Sequence, residues 1–174
     1  MGTFVLVAVA SALLTVAHEA GHWLCGRAAG VPACEMRVRL LAWPPRVDLR
    51  DGAGWVSPAD YERYVAVATR HLPTAGRAAA FVAGGPLVEV AGLVAAVVGA
   101  VALGEANAAS LAALVALVVN ALYTAVDVVG TWRTGAPCGD ASALWVISPA
   151  GAVTVTAAAL AAPAALAAWA SGLP

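Results

Sequence analysis

The sequence predicts an all-α integral membrane fold of about four transmembrane helices. A short β-hairpin-like segment, cytoplasmic or interfacial, is expected between the first and the second. Three observations lead there. Of the 174 residues, 62% are hydrophobic and 11% charged, whereas roughly a quarter of the residues in a soluble domain carry charge. Apolar runs near the ~20 residues that a bilayer demands recur along the chain. The basic residues, nine arginines and no lysines, gather in one connection between such runs.

The first run covers residues 4–25. It has no basic start and no cleavage-like polar end, so it reads as a retained span and not as a signal peptide. The connection at 26–77 is the only extended polar stretch and holds eight of the nine arginines. Within it Met36, Val38 and Leu40 alternate with polar or small residues, as do Val47 and Leu49. Asp51-Gly52 reads as a turn before Trp55 and Val56, which predicts short strands or a hairpin. The prolines at 44 and 45 confine such a strand to an edge. Ser57-Pro58-Ala59-Asp60 is a helix start, and the helix is expected to reach Arg70 and stop at His71-Leu72-Pro73. Further spans follow at residues 78–103, 108–130 and 141–169, the last interrupted by Pro149 and Pro163. The alanine-rich tail supplies the small residues that packed membrane helices need. Residues 1–174 form a single membrane domain, with no internal repeat.

The ninth arginine, Arg133, follows the third span. With alternating spans both basic connections share a side, and the positive-inside rule assigns it to the cytoplasm. Cys25, Cys34 and Cys138 fall on that side, where thiols stay reduced. No Cys-x-x-Cys spacing occurs, which argues against a structural zinc knot. The net charge is −1 and no basic patch interleaves with aromatics, so no nucleic-acid partner is expected. Arginine and alanine without lysine point to a high-GC bacterium, and hence to its plasma membrane. Oligomeric state is not legible.

Residues 18–22 of the first span read His-Glu-Ala-Gly-His. Ionisable groups are expensive in lipid, so a cluster of them is a functional hypothesis. Four residues apart on a helix, His18 and His22 stand one above the other and can reach one tetrahedral zinc ion. Glu19, at the edge of the same face, can act as general base on a water that the metal acidifies. The plain alternative is a pair of core histidines bonded to backbone, with Glu19 paired to an arginine. A rise of 1.5 Å per residue puts His18 about 13 Å from Arg27 along the helix. The site would then lie below the cytoplasmic surface, short of the bilayer centre.

His18-Glu19-Ala20-Gly21-His22 on a first core span resembles the site-2 protease group of intramembrane metalloproteases. Ala83-Gly84-Gly85-Pro86-Leu87 is similar to the Gly-Pro element that opens the next core helix of that family. The resemblance covers most of residues 10–145. It implies a three-helix catalytic core, a zinc ion and cleavage of membrane-embedded protein substrates. It also implies a third ligand, an aspartate after a later span. Asp140, in Gly139-Asp140-Ala141-Ser142-Ala143-Leu144, is similar to that element with alanine in place of glycine. It is closer still to a Ser-Asp-Ala variant in a divergent branch of the group. Asp127, seven residues after Asn120, competes for the role but lacks the expected prolines and the following glycine. Asp140 is favoured. Its plain reading is a helix N-cap, and that of Asp127 is a charge near a helix end that reaches the interface or pairs with Arg133. One acid should complete the three ligands of a hydrolytic site.

Glu89 stands where the family usually has asparagine. It is either an acceptor that fixes the tautomer of a ligand histidine or a protonated bridge between helices. Asn120 either binds substrate backbone or bridges two helices. The 36–56 stretch could take an unwound substrate segment as an added strand, or be an interfacial loop anchored by Trp43 and Trp55.

The function expected is thus that of an intramembrane zinc metalloprotease acting on membrane-tethered proteins. Its site residues would be His18, His22 and Asp140 on Zn2+, Glu19 as base and Asn120 on substrate. Two rivals stand beside it: a catalytically inactive relative that binds membrane partners, and an ion or proton carrier using His18, Glu19, Glu89 and Asp127 as a relay.

Overall fold

A computed structural model describes residues 2–172. Four helices are long and apolar enough to cross a membrane: α1 (Gly2–Ala29), α3 (Ala75–Ala102), α4 (Ala106–Thr134) and α6 (Pro149–Ser171). A shorter helix, α2 (Tyr61–His71), lies in the connection between α1 and α3, and α5 (Asp140–Ile147) joins α4 to α6. The mostly helical membrane architecture expected from composition is the one observed.

The α1–α3 connection folds into an antiparallel sheet of order β1-β2-β3, comprising Met36–Arg39, Arg46–Asp51 and Gly54–Val56. Met36 faces Leu49, and Leu49 faces Val56 across the second pair. The alternation read in the sequence is therefore the sheet's own, with Met36, Val47, Leu49 and Val56 buried. Gly52, at φ +62°, makes the β2–β3 turn, a conformation that favours glycine. The edge expectation drawn from Pro44 and Pro45 does not hold. Both prolines fall in the β1–β2 loop, and the strand that follows them is the central one.

Helix α2 starts at Tyr61, because Ser57–Asp60 first closes a turn (Asp60 N–H to the Ser57 carbonyl, 3.0 Å). It ends at His71, and Pro73 follows. Tyr64 fastens it to the sheet by donating to the Val47 carbonyl at 3.0 Å. Burial pushes the phenol's pKa up, so it stays a donor.

Val31, Met36, Val47, Leu49, Val56, Val67, Leu72 and Phe81 form one apolar cluster. It fastens the sheet and α2 to the ends of α1 and α3. Burial of each such side chain contributes about 1.5–3 kcal/mol. A second cluster, including Leu14, Leu93, Val97 and alanines 109, 113, 116, 167 and 170, joins the four long helices at the other end. Alanines at the α4–α6 contact let these backbones approach closely, as packing between membrane helices requires.

The run at 141–169 is not one interrupted span. Ser148 accepts from the Gly151 N–H at 3.2 Å and Pro149 takes the first helical position, so α6 starts afresh there. Pro163 sits inside α6 without ending it.

Candidate metal centre

Helix α1 places His18, Glu19 and His22 within one turn and a little more, and α3 packs directly against that face. The crossing is close because both helices present glycine. A Cβ on Gly21 would run into the Gly84 carbonyl, and one on Gly84 would lie 2.6 Å from Cys25 Cβ and from the Gly21 carbonyl. Gly85 leaves the room that the imidazoles fill: a Cβ there would be 2.9 Å from His18 Nε2 and would collide with His22 Nε2.

Each histidine is anchored through Nδ1. His22 Nδ1 is 3.0 Å from the Phe81 carbonyl, which can only accept, so this nitrogen carries the proton. His18 Nδ1 lies 2.8 Å from Glu89 Oε2, and with that carboxyl ionised this nitrogen carries the proton too. Glu89 is buried, 5% exposed, and its other oxygen has no partner among the described residues. With the protons at Nδ1, both Nε2 atoms present lone pairs.

Those lone pairs converge. The two Nε2 atoms are 3.2 Å apart. Asp140 Oδ2, brought in by the first residue of α5, lies 2.8 Å from His18 Nε2 and 3.3 Å from His22 Nε2. Three acceptors in mutual contact repel one another unless a proton or a metal cation sits among them. Zinc bonds of about 2.0–2.1 Å would space tetrahedral donors by about 3.4 Å. Two of the separations, 3.2 and 3.3 Å, are close to that edge and the third, 2.8 Å, is shorter; His18, His22 and Asp140 can hold a metal ion. Glu19, 6% exposed, adjoins the half-buried His18 on α1.

Asp127 and Asn120 are engaged elsewhere. Asp127 accepts from the Ser142 backbone N–H at 2.9 Å, from the Ser142 hydroxyl, and from Thr131 Oγ1 at 3.1 Å. It is neither in the His18–His22–Asp140 group nor paired with Arg133. Asn120 Nδ2 donates to the Ala159 carbonyl at 3.2 Å and ties α4 to α6, which is the bridging alternative. Glu89 contacts His18, the placement both of its readings allow. Cys25, Cys34 and Cys138 are free thiols.

Sequence reasoning missed the Phe81 carbonyl, Gly85 as the floor of the cluster, and Ser142. Only Gly85 left a signal, a glycine pair within an otherwise helical apolar run. Compared with protein-family models, curated proteins and solved structures, the chain matches none.

Proposed function

We propose that the protein is an intramembrane zinc metalloprotease that hydrolyses peptide bonds of membrane-tethered proteins. One observation carries the reading: two imidazoles with their protons tied back at Nδ1 aim their lone pairs, with a carboxylate, at a single point beside a buried glutamate. Three protein donors leave one tetrahedral position free, the pattern of hydrolytic and not of structural zinc sites.

In this reading His18, His22 and Asp140 hold the ion. A bound zinc ion supplies Lewis acidity, polarising a carbonyl and lowering the pKa of water. Glu19 takes the proton of the attacking water and returns it to the departing amide nitrogen. Glu89 and the Phe81 carbonyl hold both imidazoles in the tautomer that leaves Nε2 free. The basic α1–α3 connection faces the cytoplasm of a bacterial plasma membrane, so water reaches the site from that side. A carrier would be expected to string its exchangeable groups into one path, whereas the bonds of Asp127 go to Ser142 and Thr131 and not to His18, Glu19 or Glu89.

The test is cleavage of a panel of single-span substrates by the protein reconstituted in liposomes. Wild type should cut at least one, and Glu19→Gln should lower the rate by about 10²–10⁴ while keeping its metal. Cleavage at full rate by Glu19→Gln would contradict the assignment of the base. Ion flux that persists in Glu19→Gln, with no cleavage by wild type, would favour the carrier.

A further inference from the structure

Asp127 is a carboxylate on a membrane-spanning helix, 5% exposed, and the proposed chemistry does not use it. Two of its three bonds go to Ser142, in the first turn of α5. Oδ2 accepts the Ser142 N–H at 2.9 Å and Oδ1 accepts the Ser142 hydroxyl. Thr131, one turn on in α4, donates to Oδ1 at 3.1 Å and accepts the Cys138 N–H at 3.1 Å. The Gly139 backbone lies flat on the carboxylate, since a Cβ there would be 2.7 Å from Asp127 Cγ. The first N–H groups of a helix need an acceptor, normally from the residue that caps it. Here glycine occupies that position, and the acceptor comes from another helix.

The residue that begins α5 is Asp140. We propose that Asp127 is a positioning residue for the metal centre: by capping α5 from α4 it fixes where Asp140 stands relative to the two imidazoles. It thereby sets metal affinity without touching the metal. This rests on the metal-site reading above. Asparagine should be a poor substitute. Ser142 Oγ already accepts the N–H groups of Cys138 and Gly139, at 3.1 and 3.3 Å. The amide must therefore turn its NH2 either on that filled oxygen or on the Ser142 N–H.

The experiment is cobalt(II) titration of the purified full-length protein in detergent, read by the visible ligand-field spectrum and by competition with a chelator. Wild type, Asp127→Asn, Ser142→Ala and His22→Ala are compared, with thermal melting alongside. Asp127→Asn should shift the spectrum and weaken cobalt binding by about 10–100-fold, the range for partners that orient metal ligands. Ser142→Ala, the milder variant should the first fail to fold, should move both in the same direction by a smaller factor. Unchanged spectrum and affinity in both variants overturn the proposal, as does a lowered melting temperature with an unchanged spectrum. Wild type that takes up no cobalt, or His22→Ala that takes it up normally, overturns the metal-site reading itself. That result is distinct from a site that binds cobalt but ignores Asp127.

Discussion

The sheet layer and the helical layer both bury acids, and they treat them in opposite ways. In the sheet, Asp48 is 3% exposed and each of its oxygens meets a guanidinium, Arg37 at 2.8 Å and Arg46 at 3.0 Å. Arg37 also lies over the Trp55 ring at 4.4 Å. Both oxygens of Asp48 thus have a cationic partner, although Arg37 Nε is itself buried without an acceptor among the described residues. Among the helices, His18, His22 and Asp140 face one another with Glu89 behind, and no arginine is paired with any of them. A buried carboxylate left without a counter-charge costs several kcal/mol. On the proposed reading, the arginine-paired Asp48 holds structure, and the convergent His18, His22 and Asp140 form a site for a cation.

That contrast breaks if the two layers respond alike to substitution. Glu89→Ala removes the acceptor that orients His18, and should weaken zinc binding by about 10–100-fold with little change in the sheet. Chelator competition measures it, and an unaltered affinity would place Glu89 outside the centre. Asp48→Ala should do the reverse, costing about 1.5–3 kcal/mol as hydrogen bonds to charged groups are lost. Hydrogen exchange in β1 and β2 would report the loss while zinc affinity stays at the wild-type value. The smallest effect belongs to Asp51, whose carboxyl is held below its usual range by hydrogen bonds from Arg63 and Arg70. A lowered folded-state pKa stabilises above the unfolded value of about 4, and that stability fades as pH falls through the folded pKa. Protection in α2, corrected for the intrinsic exchange rate, should therefore fall below about pH 4 for wild type and lose that dependence in Asp51→Asn. Both arginines are largely exposed, so salt should shrink the effect further.

What the sequence disclosed follows the range of the interactions. The first three spans, the strand alternation and the i, i+4 histidine pair are local patterns found where expected, whereas the run at 141–169 divides into α5 and α6. The β1–β2–β3 register follows from the same period of two. The choice between Asp140 and Asp127 depended on two elements far apart in the chain, and only their packing separates them. Asp140 reaches the imidazoles because α5 breaks from α6 at Ser148-Pro149, a capping signal hidden inside an apolar run. The partner of His22 was beyond inference for a simpler reason: a backbone carbonyl has no residue type. Asn120 shows the limit of motif spacing, since its amide is spent on the α4–α6 contact.

Metal content of the protein, purified gently without chelator and counted against chain concentration, bears most directly on the convergent acceptors of the helical layer. Wild type should carry about one zinc ion per chain, as one set of three donors allows, and His22→Ala and Asp140→Ala should lose it while Asp48→Ala keeps it. Wild type free of divalent metal, or His22→Ala and Asp140→Ala with undiminished zinc, would contradict the metal centre.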